Sequence, residues 1–312
     1  MVWKPIVVAV DDSAEAATAA AFGWRLADLA GTSCHLVHAV PDPGTAFAAA
    51  LMGGKARALE AGLRELVGPG LRAALTPTVI PQALDQLAIR IGRTALVLKA
   101  EVERLGAGLV IIGGKHHVAL GRWLGGSTAR DAVRTLTVPV LVTKGTPTAP
   151  RRVLVAVDLS YAAEPTIREA ERFATLAVGS LRALHVLEPL TVIPNVAQFV
   201  DQQGFNADSV AALERDVWPL LRMPGAEKSV RSGHAVVALA AEATEWQADL
   251  LVVGSHGRGW VDRLLLGTVT ERLLDQLPVS LLVVPVHKPE LIDEPGEPAS
   301  HGRTRAPVGV GT

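Results

Sequence analysis

The sequence predicts an α/β protein made of two tandem doubly wound domains, and three observations lead to this prediction. The chain has 312 residues, which is enough for two domains with a hydrophobic core each. Hydrophobic residues make up 49% of it but aromatic residues only 4%, and small aliphatic side chains suit buried parallel strands under closely packed helices. Residues 6–13 also recur in similar form at 153–160. The repeat indicates the duplication of one unit.

Each half alternates short apolar segments with Ala-rich amphipathic ones, which favour strands and helices respectively. In the first half the predicted strands are residues 5–10, 34–40, 86–91, 109–113 and 138–143, and the predicted helices are 14–30, 94–106 and 127–136. In the second half the predicted strands are 152–157, 181–187, 227–232, 250–253 and 280–285. Strands separated by helices favour right-handed parallel crossovers, so we expect a doubly wound parallel sheet in each half.

A segment rich in Pro and Thr, residues 145–150, separates the two halves. We therefore expect a first domain at 1–145 and a second domain at 151–287. Residues 288–312 mix Pro, Gly and charged residues without a period, and we expect them to form a disordered tail.

The two least regular segments, 41–85 and 188–226, lie between the second and third predicted strands of each half. Both have prolines at their edges and room for a helix inside. They are candidate lids or interaction surfaces.

Charge and hydropathy exclude several classes of partner. Thirty basic residues balance 31 acidic ones, which argues against binding to nucleic acid or to an acidic membrane surface. No apolar run approaches the roughly 20 residues that span a bilayer, and the first residues lack the pattern of a signal peptide. The single cysteine, Cys34, permits neither an intrachain disulfide nor a thiolate zinc cluster. We expect a cytoplasmic protein.

Polar and glycine residues of the second half follow two strands that should be neighbours. In open α/β sheets, ligands bind beyond the carboxyl ends of the strands. Glycine permits a positive φ and a close approach of the backbone, and the free amides at a helix start attract anions. An aspartate after the first strand can accept a hydrogen bond from a base or a ribose. The candidates for this mononucleotide site are Asp158, Ser160, Gly254, Gly257, Arg258, Gly267 and Thr268.

Structural alternatives stand beside these assignments. Asp158 and its counterpart Asp11 are also suited to a turn or a helix N-cap, and Ser160 is itself a candidate cap. The histidines that end the second strand of each half, His38 and His185, suit half-buried structural positions better than catalysis.

No metal site is predicted. The adjacent residues His116 and His117 lack a third ligand at a recognisable spacing. Asp262 is a candidate magnesium ligand, but a solvated loop acid is the simpler interpretation.

The motif Gly254-x-x-Gly257, followed by nine residues and Gly267-Thr268, resembles the nucleotide loop of the universal stress protein family. The family's first-strand aspartate corresponds to Asp158, and the resemblance extends from about residue 3 to 286. It implies a five-stranded parallel sheet in the order 3-2-1-4-5 in each half, and ATP or a related adenine nucleotide as ligand, with or without magnesium. Asp158 and Val186 would hold adenine and ribose, and the loop residues would hold the phosphates.

The same resemblance implies an internal pseudo-dimer. Members of the family commonly pair through their final strands, so here residues 138–143 would pair with 280–285. Whether the tandem chain dimerises further stays open.

The first half departs from the nucleotide-loop pattern. Its weaker candidate residues are Asp11, Ser13, Gly113, Gly126 and Ser127. His116 occupies the second glycine position, where a positive φ would cost about 1 kcal/mol and the ring would crowd a phosphate. The neighbouring residues Lys115, His117 and Arg122 bring positive charge, which favours phosphate binding. We expect the first site to be weaker or empty.

The function that these patterns favour is a regulatory protein of the stress response that binds ATP mainly through its C-terminal domain and recognises an unidentified protein partner. No nucleophile, general base or metal cluster is recognisable near the loop, so no catalytic residue is assigned. The alternatives are a slow ATPase or nucleotidyl-transfer enzyme, and an adaptor or scaffold that binds no nucleotide.

Overall fold

The computed structural model describes residues 2–40, 56–85, 87–114, 127–145, 147–190, 201–257 and 266–286. The tail predicted to be disordered, 288–312, lies outside them. The described elements of the first half are β1 (Ile6–Ala9), α1 (Ala14–Ala30), β2 (Cys34–Val40), α2 (Ala56–Leu75), α3 (Pro81–Asp85), β3 (Ala88–Ile91), α4 (Thr94–Leu105), β4 (Leu109–Gly113), α5 (Ser127–Thr135) and β5 (Val140–Thr143).

The second half repeats this order of strands. Its described elements are β6 (Arg152–Ala156), α6 (Ala163–Leu176), β7 (Ser180–Leu187), α7 (Gln202–Ala212), β8 (Glu227–Ser232), α8 (Ala235–Glu245), β9 (Leu250–Gly254), α9 (Thr268–Gln276) and β10 (Ser280–Val284). A π-helical turn and a short 3₁₀ helix continue α7 to Leu220.

The ten strands form one sheet in the order β3-β2-β1-β4-β5-β10-β9-β6-β7-β8. Within each half the neighbours are parallel and the order is 3-2-1-4-5. The predicted fold class is therefore confirmed. At the centre, β5 and β10 run antiparallel, with Leu141 opposite Leu282, so the two sheets become continuous.

The strands near the centre of the sheet are mostly apolar because helices cover both faces of the sheet. Val8 and Ile111 belong to one layer of the core, and Val7 and Val110 belong to the other. Helices α1 and α6 pack on the first face, and α4, α5, α8 and α9 pack on the second. Each layer runs through both halves of the chain.

Small residues allow α1 to lie close to the sheet. Ser13 caps this helix by accepting a hydrogen bond from the backbone N–H of Ala16. On the buried side, a Cβ atom at Gly23 would lie 2.5 Å from Cγ2 of Val8. Glycine at position 23 therefore allows α1 to lie close to β1.

Contacts beyond the sheet also join the halves. The Trp3 ring, before β1, meets the Phe173 ring of α6 edge-on at 5.2 Å, and the guanidinium of Arg172 lies 3.7 Å above the Trp3 ring. Near the central strands, Lys144 Nζ donates a hydrogen bond to the carbonyl oxygen of Pro278 at 2.7 Å. The halves therefore share a core and polar contacts as well as backbone hydrogen bonds.

Each half buries one glutamate in the helix that follows its third strand. Glu242 is 2% exposed and pairs with Arg182 at 2.5 Å and with Arg231. Its counterpart Glu101 is 3% exposed and pairs with guanidinium groups of its own half. Two cations around a buried carboxylate offset the cost of its desolvation.

No helix in the described part of the chain is long and apolar enough to cross a membrane.

We expect Glu242→Ala to lower the free energy of unfolding by about 3 kcal/mol, because it removes the shared partner of two guanidinium groups. Denaturant unfolding measures this loss. Glu245→Ala is the matched control, since Glu245 also pairs with Arg231 but is exposed, and little change is expected. Equal losses in the two variants would contradict a special role for the buried carboxylate.

The stability that Glu101 contributes should depend on pH. Burial raises the pKa of Glu101, but hydrogen bonds from Arg104 and Arg90 outweigh it, so the net pKa lies below its ordinary value. A lowered folded-state pKa gives stability that is complete above the unfolded-state pKa and lost as the pH falls through the folded-state value.

Unfolding free energies of the wild type and Glu101→Gln should therefore differ by a constant amount at neutral pH and converge in acid. The exposed Glu103 of the same helix supplies the control variant Glu103→Gln, for which we expect no such convergence. A difference that stays constant into acid would rule out the ion pairs as its source.

Candidate functional site

A cavity of about 480 Å³ lies at the carboxyl ends of the strands in the second half. It is bounded by the ends of β6, β7 and β9 and by the start of α9. Six of the candidate residues line it: Asp158, Val186, Gly254, Gly257, Gly267 and Thr268. Residues that are far apart in the sequence thus meet in one cavity, at the place where α/β sheets bind ligands.

Asp158 is held by a turn directly after β6. Its Oδ1 atom accepts hydrogen bonds from the backbone N–H of Ser160 at 3.1 Å and from the Ser160 hydroxyl at 2.6 Å. The Ser160 oxygen in turn accepts a hydrogen bond from the N–H of Ala162 at 3.1 Å. Ser160 is not among the residues that line the cavity. Its contacts fit the structural alternative, in which it orients Asp158 and caps the turn.

Gly257 provides space for Asp158. A Cβ atom at Gly257 would lie 2.5 Å from Asp158 Oδ2. Of the two properties of glycine considered from the sequence, a positive φ is not used here, because Gly254, Gly257 and Gly267 all lie outside the positive-φ region. The reason for glycine at 257 is therefore steric.

The loop after β9 is anchored to the last strand. The N–H of Ser255 donates to the carbonyl oxygen of Val284 at 2.8 Å, and the buried Ser255 hydroxyl accepts from the N–H of Val286 at 3.0 Å. Across the loop, the N–H of Gly267 donates to the carbonyl oxygen of Ser255 at 2.9 Å. These bonds fix the point at which α9 begins.

The first turn of α9 faces the cavity. Gly267 is the N-cap, and Thr268 is the first helical residue and is exposed. Thr270 ties this turn to β9 by donating a hydrogen bond to the carbonyl oxygen of Gly254 at 2.8 Å. The N–H groups of a first helical turn have no partner within the helix and carry partial positive charge, so this end of the cavity suits an anion.

The opposite wall is largely apolar. Val186 lies there with Leu184, Ala235 and Leu239. His185, which is 9% exposed, shares a hydrogen bond of 2.8 Å through Nδ1 with the carbonyl oxygen of Val157. In the first half His38 makes the same bond with Val10, at 2.7 Å. Both histidines hold the end of the second strand to the first.

Several lining residues escaped the sequence analysis. Phe205 and Ser209 come from α7, which lies inside the segment that was predicted to be least regular. Glu188 and Thr166 also line the cavity, and Glu188 accepts a hydrogen bond from the N–H of Ala235 at the start of α8. A helix and a candidate lid or interaction surface were expected in 188–226, but the sequence did not indicate which residues of this segment would line the cavity.

The first half conserves part of this arrangement. Asp11 accepts hydrogen bonds from the N–H of Ser13, at 3.0 Å, and from its hydroxyl. Gly113 ends β4, where a Cβ atom would lie 2.7 Å from the backbone carbonyl of Glu15. Ser127 opens α5, as Thr268 opens α9.

The remaining loop residues of both halves lie outside the described part of the chain. They are Lys115, His116, His117, Arg122, Gly126, Arg258 and Asp262. Among the described residues, no group of three or more His, Cys, Asp or Glu side chains is placed to hold a metal ion.

Cys34 is remote from this chemistry. It begins β2 and is buried, and desolvation raises the pKa of its thiol to about 12. A thiol with such a pKa is almost entirely protonated at neutral pH and is a poor nucleophile.

A family model described as the universal stress protein family matches residues 3–144 and again residues 150–285. The chain belongs to the universal stress protein family. Both matches together span nearly all of the two halves, in agreement with the tandem repeat.

Individual relatives agree with this assignment. A universal stress protein of Mycolicibacterium smegmatis is 28% identical over 295 residues, which cover 89% of this chain and 96% of the relative. Universal stress protein A homolog 2 of Coxiella burnetii is 25% identical over 138 residues, or 43% of this chain and 94% of that protein. The crystal structure of a universal stress protein from Archaeoglobus fulgidus has a TM-score of 0.58 at 16% identity and covers 90% of this chain and 98% of its own.

The contact between Gly257 and Asp158 yields a stability prediction. Gly257→Ala should lower the free energy of unfolding by about 1–3 kcal/mol, because its methyl group overlaps the Asp158 carboxylate. In an Asp158→Ala background the same change should cost clearly less, and chemical denaturation of all four proteins gives the coupling.

Gly70→Ala in α2 is the control, because no atom lies within 4 Å of the added Cβ. It should be neutral or slightly stabilising. If Gly257→Ala were equally costly with and without the Asp158 carboxylate, the steric explanation would be refuted.

Proposed function

We propose that the second half of this universal stress protein binds an adenine nucleotide, ATP in the first place, and that the chain acts as a regulatory protein without turning the nucleotide over. One observation carries the proposal: Asp158, Val186 and the loop residues Gly254, Gly257, Gly267 and Thr268 all line one cavity. Its volume of about 480 Å³ falls within the range of small-molecule sites.

The two ends of the cavity differ in the way that a nucleotide requires. The wall near Val186, Leu184 and Leu239 is apolar and suits a purine ring. Between this wall and the glycine loop lies Asp158, a hydrogen-bond acceptor suited to a ribose hydroxyl or a base amino group.

The phosphates would lie against the glycine loop and the first turn of α9, where backbone N–H groups and the helix dipole favour negative charge. Thr268 adds a hydroxyl at this position. A magnesium ion that accompanies the nucleotide would take its ligands chiefly from phosphate oxygens and water, as Mg²⁺ commonly does.

The titratable groups of the described wall are hydrogen-bonded to neighbouring groups of the protein. Asp158 is bonded to Ser160, and His185 to the carbonyl oxygen of Val157. Glu188 accepts a hydrogen bond from the N–H of Ala235, and His256 shares one of 2.9 Å with the Ser255 hydroxyl. Each group makes a hydrogen bond that fixes its position, and we assign none of them to proton transfer.

The first experiment is to denature the purified protein and to quantify released nucleotide per chain by chromatography and mass spectrometry, followed by calorimetric titration of the emptied protein with ATP. We expect about one adenine nucleotide per chain. Thr268→Val should weaken ATP binding roughly tenfold, because it removes a hydrogen bond to a charged ligand.

Thr244→Val is the matched control. Thr244 is exposed on α8, and its hydroxyl bonds to the carbonyl oxygen of Ala240, so ATP binding should not change. Two nucleotides per chain would contradict the assignment to the second half. If no nucleotide is released and added ATP does not bind, the adaptor alternative is favoured. Steady phosphate release well above that of Asp158→Ala would favour an enzyme.

A further inference from the structure

The helices that flank the central strand pair carry opposite charges. Helix α5 of the first half presents Arg130 and Arg134, and α9 of the second half presents Glu271 and Asp275. Arg130 lies 2.8 Å from Asp275 and 3.5 Å from Glu271, and Arg134 lies 3.2 Å from Glu271. The Oδ1 atom of Asp275 is shielded from solvent, which strengthens the attraction because screening is reduced there.

The internal repeat places these paired residues at equivalent positions of the two halves. The offset that aligns β4 with β9 also aligns Arg130 with Glu271 and Arg134 with Asp275. The contact between Arg130 and Glu271 therefore joins equivalent positions of the two halves. If two first halves paired in this geometry, Arg130 would face a second Arg130. If two second halves paired, the acids would face each other, and like charges at an interface disfavour that pairing.

The two halves also differ in the size of a side chain at the interface. Leu277, at the end of α9, reaches Gly114 of the first half, where an added Cβ atom would overlap both the Leu277 side chain and the carbonyl oxygen of Thr143. The residue equivalent to Gly114 in the second half is Ser255. A pair of two second halves would thus bring Leu277 against a serine side chain instead of a glycine.

We infer that Arg130, Arg134, Glu271 and Asp275, with Gly114 and Leu277, make this interface selective for the pairing of a first half with a second half and reject pairing of like halves. The partner that fits the surface of β5 and α5 is a domain of the same fold with acidic residues at the two positions equivalent to Glu271 and Asp275. Within one chain, the second half is that partner. Between chains, the same surface would admit association only by reciprocal exchange of halves.

Charge reversal in the full-length chain tests this inference. The variant R130E/R134E places acids against acids, as a pair of second halves would, and E271R/D275R places arginines against arginines, as a pair of first halves would. Each should lower the thermal midpoint by roughly 5 °C at low salt and increase the radius of gyration measured by small-angle X-ray scattering. The combined four-residue swap should reverse more than half of the decrease in the thermal midpoint and more than half of the increase in the radius of gyration.

Salt and an unrelated ion pair provide the controls. The decrease in thermal midpoint of the two reversed variants should be smaller at roughly 0.5 M salt, because these charges are only partly buried and salt screens them. The exposed pair of Arg215 and Asp216 lies away from the interface, and R215E/D216R should change neither quantity.

The inference would be overturned if the decreases in thermal midpoint of the two reversed variants were additive in the four-residue swap. It would also be overturned if the reversed variants had the thermal midpoint and radius of gyration of the wild type. If a reversed variant does not fold, the milder cycle of Arg130→Gln and Glu271→Gln measures the same coupling. In that cycle an interaction indistinguishable from zero would overturn it as well.

Discussion

Backbone hydrogen bonds between β5 and β10 turn two five-stranded sheets into one, and the shared core follows from this pairing. Each strand would otherwise be an exposed edge with unpaired N–H and C=O groups. Once the pair forms, the layers of apolar side chains on both faces run without interruption from one half to the other. The edges that remain are β3 and β8, and β8 carries Glu227, Lys228 and Arg231, charges that discourage further strand addition.

Duplication within one chain removes the symmetry that a homodimer of single domains would impose. Two identical copies must place the same residue on both sides of an interface, whereas the halves of this chain have arginines on one side and carboxylates on the other. The buried carboxylates have diverged in the same way. Glu101 takes its second guanidinium from Arg104 of its own helix, and Glu242 takes its second from Arg182 of a neighbouring strand. The fold keeps the buried ion pairs while their sources change.

Local pattern was sufficient to predict the strands, and the geometry of parallel sheets was sufficient to predict that polar and glycine residues after neighbouring strands meet in one cavity. The strand order was implied by the resemblance to the family. Apolar runs marked β1 and β6, and polar residues directly after buried strands converge in any such sheet. Contacts that depend on the relative positions of elements in three dimensions could not be predicted from the sequence. The reason for glycine at 257 appears only when the position of the Asp158 carboxylate is known, and the facing of Arg130 and Glu271 requires the relative placement of two helices. Phe205 and Ser209 line the cavity from a segment that the sequence marked as a candidate lid without indicating which of its residues would reach the site.

Comparison of the two halves separates what the fold needs from what a ligand would need. Asp11 and Ser13 keep the turn that Asp158 and Ser160 form, with the same carboxylate oxygen accepting both hydrogen bonds. The same turn is thus present in a half whose loop has histidine in place of the second glycine, and in both halves it precedes the helix that follows the first strand. Gly257 leaves room beside the carboxylate, since a Cβ atom there would lie 2.5 Å from Asp158 Oδ2. An aspartate after the first strand is therefore weak support for a nucleotide site by itself, and the aspartate together with the glycine that makes room for it is a much stronger one.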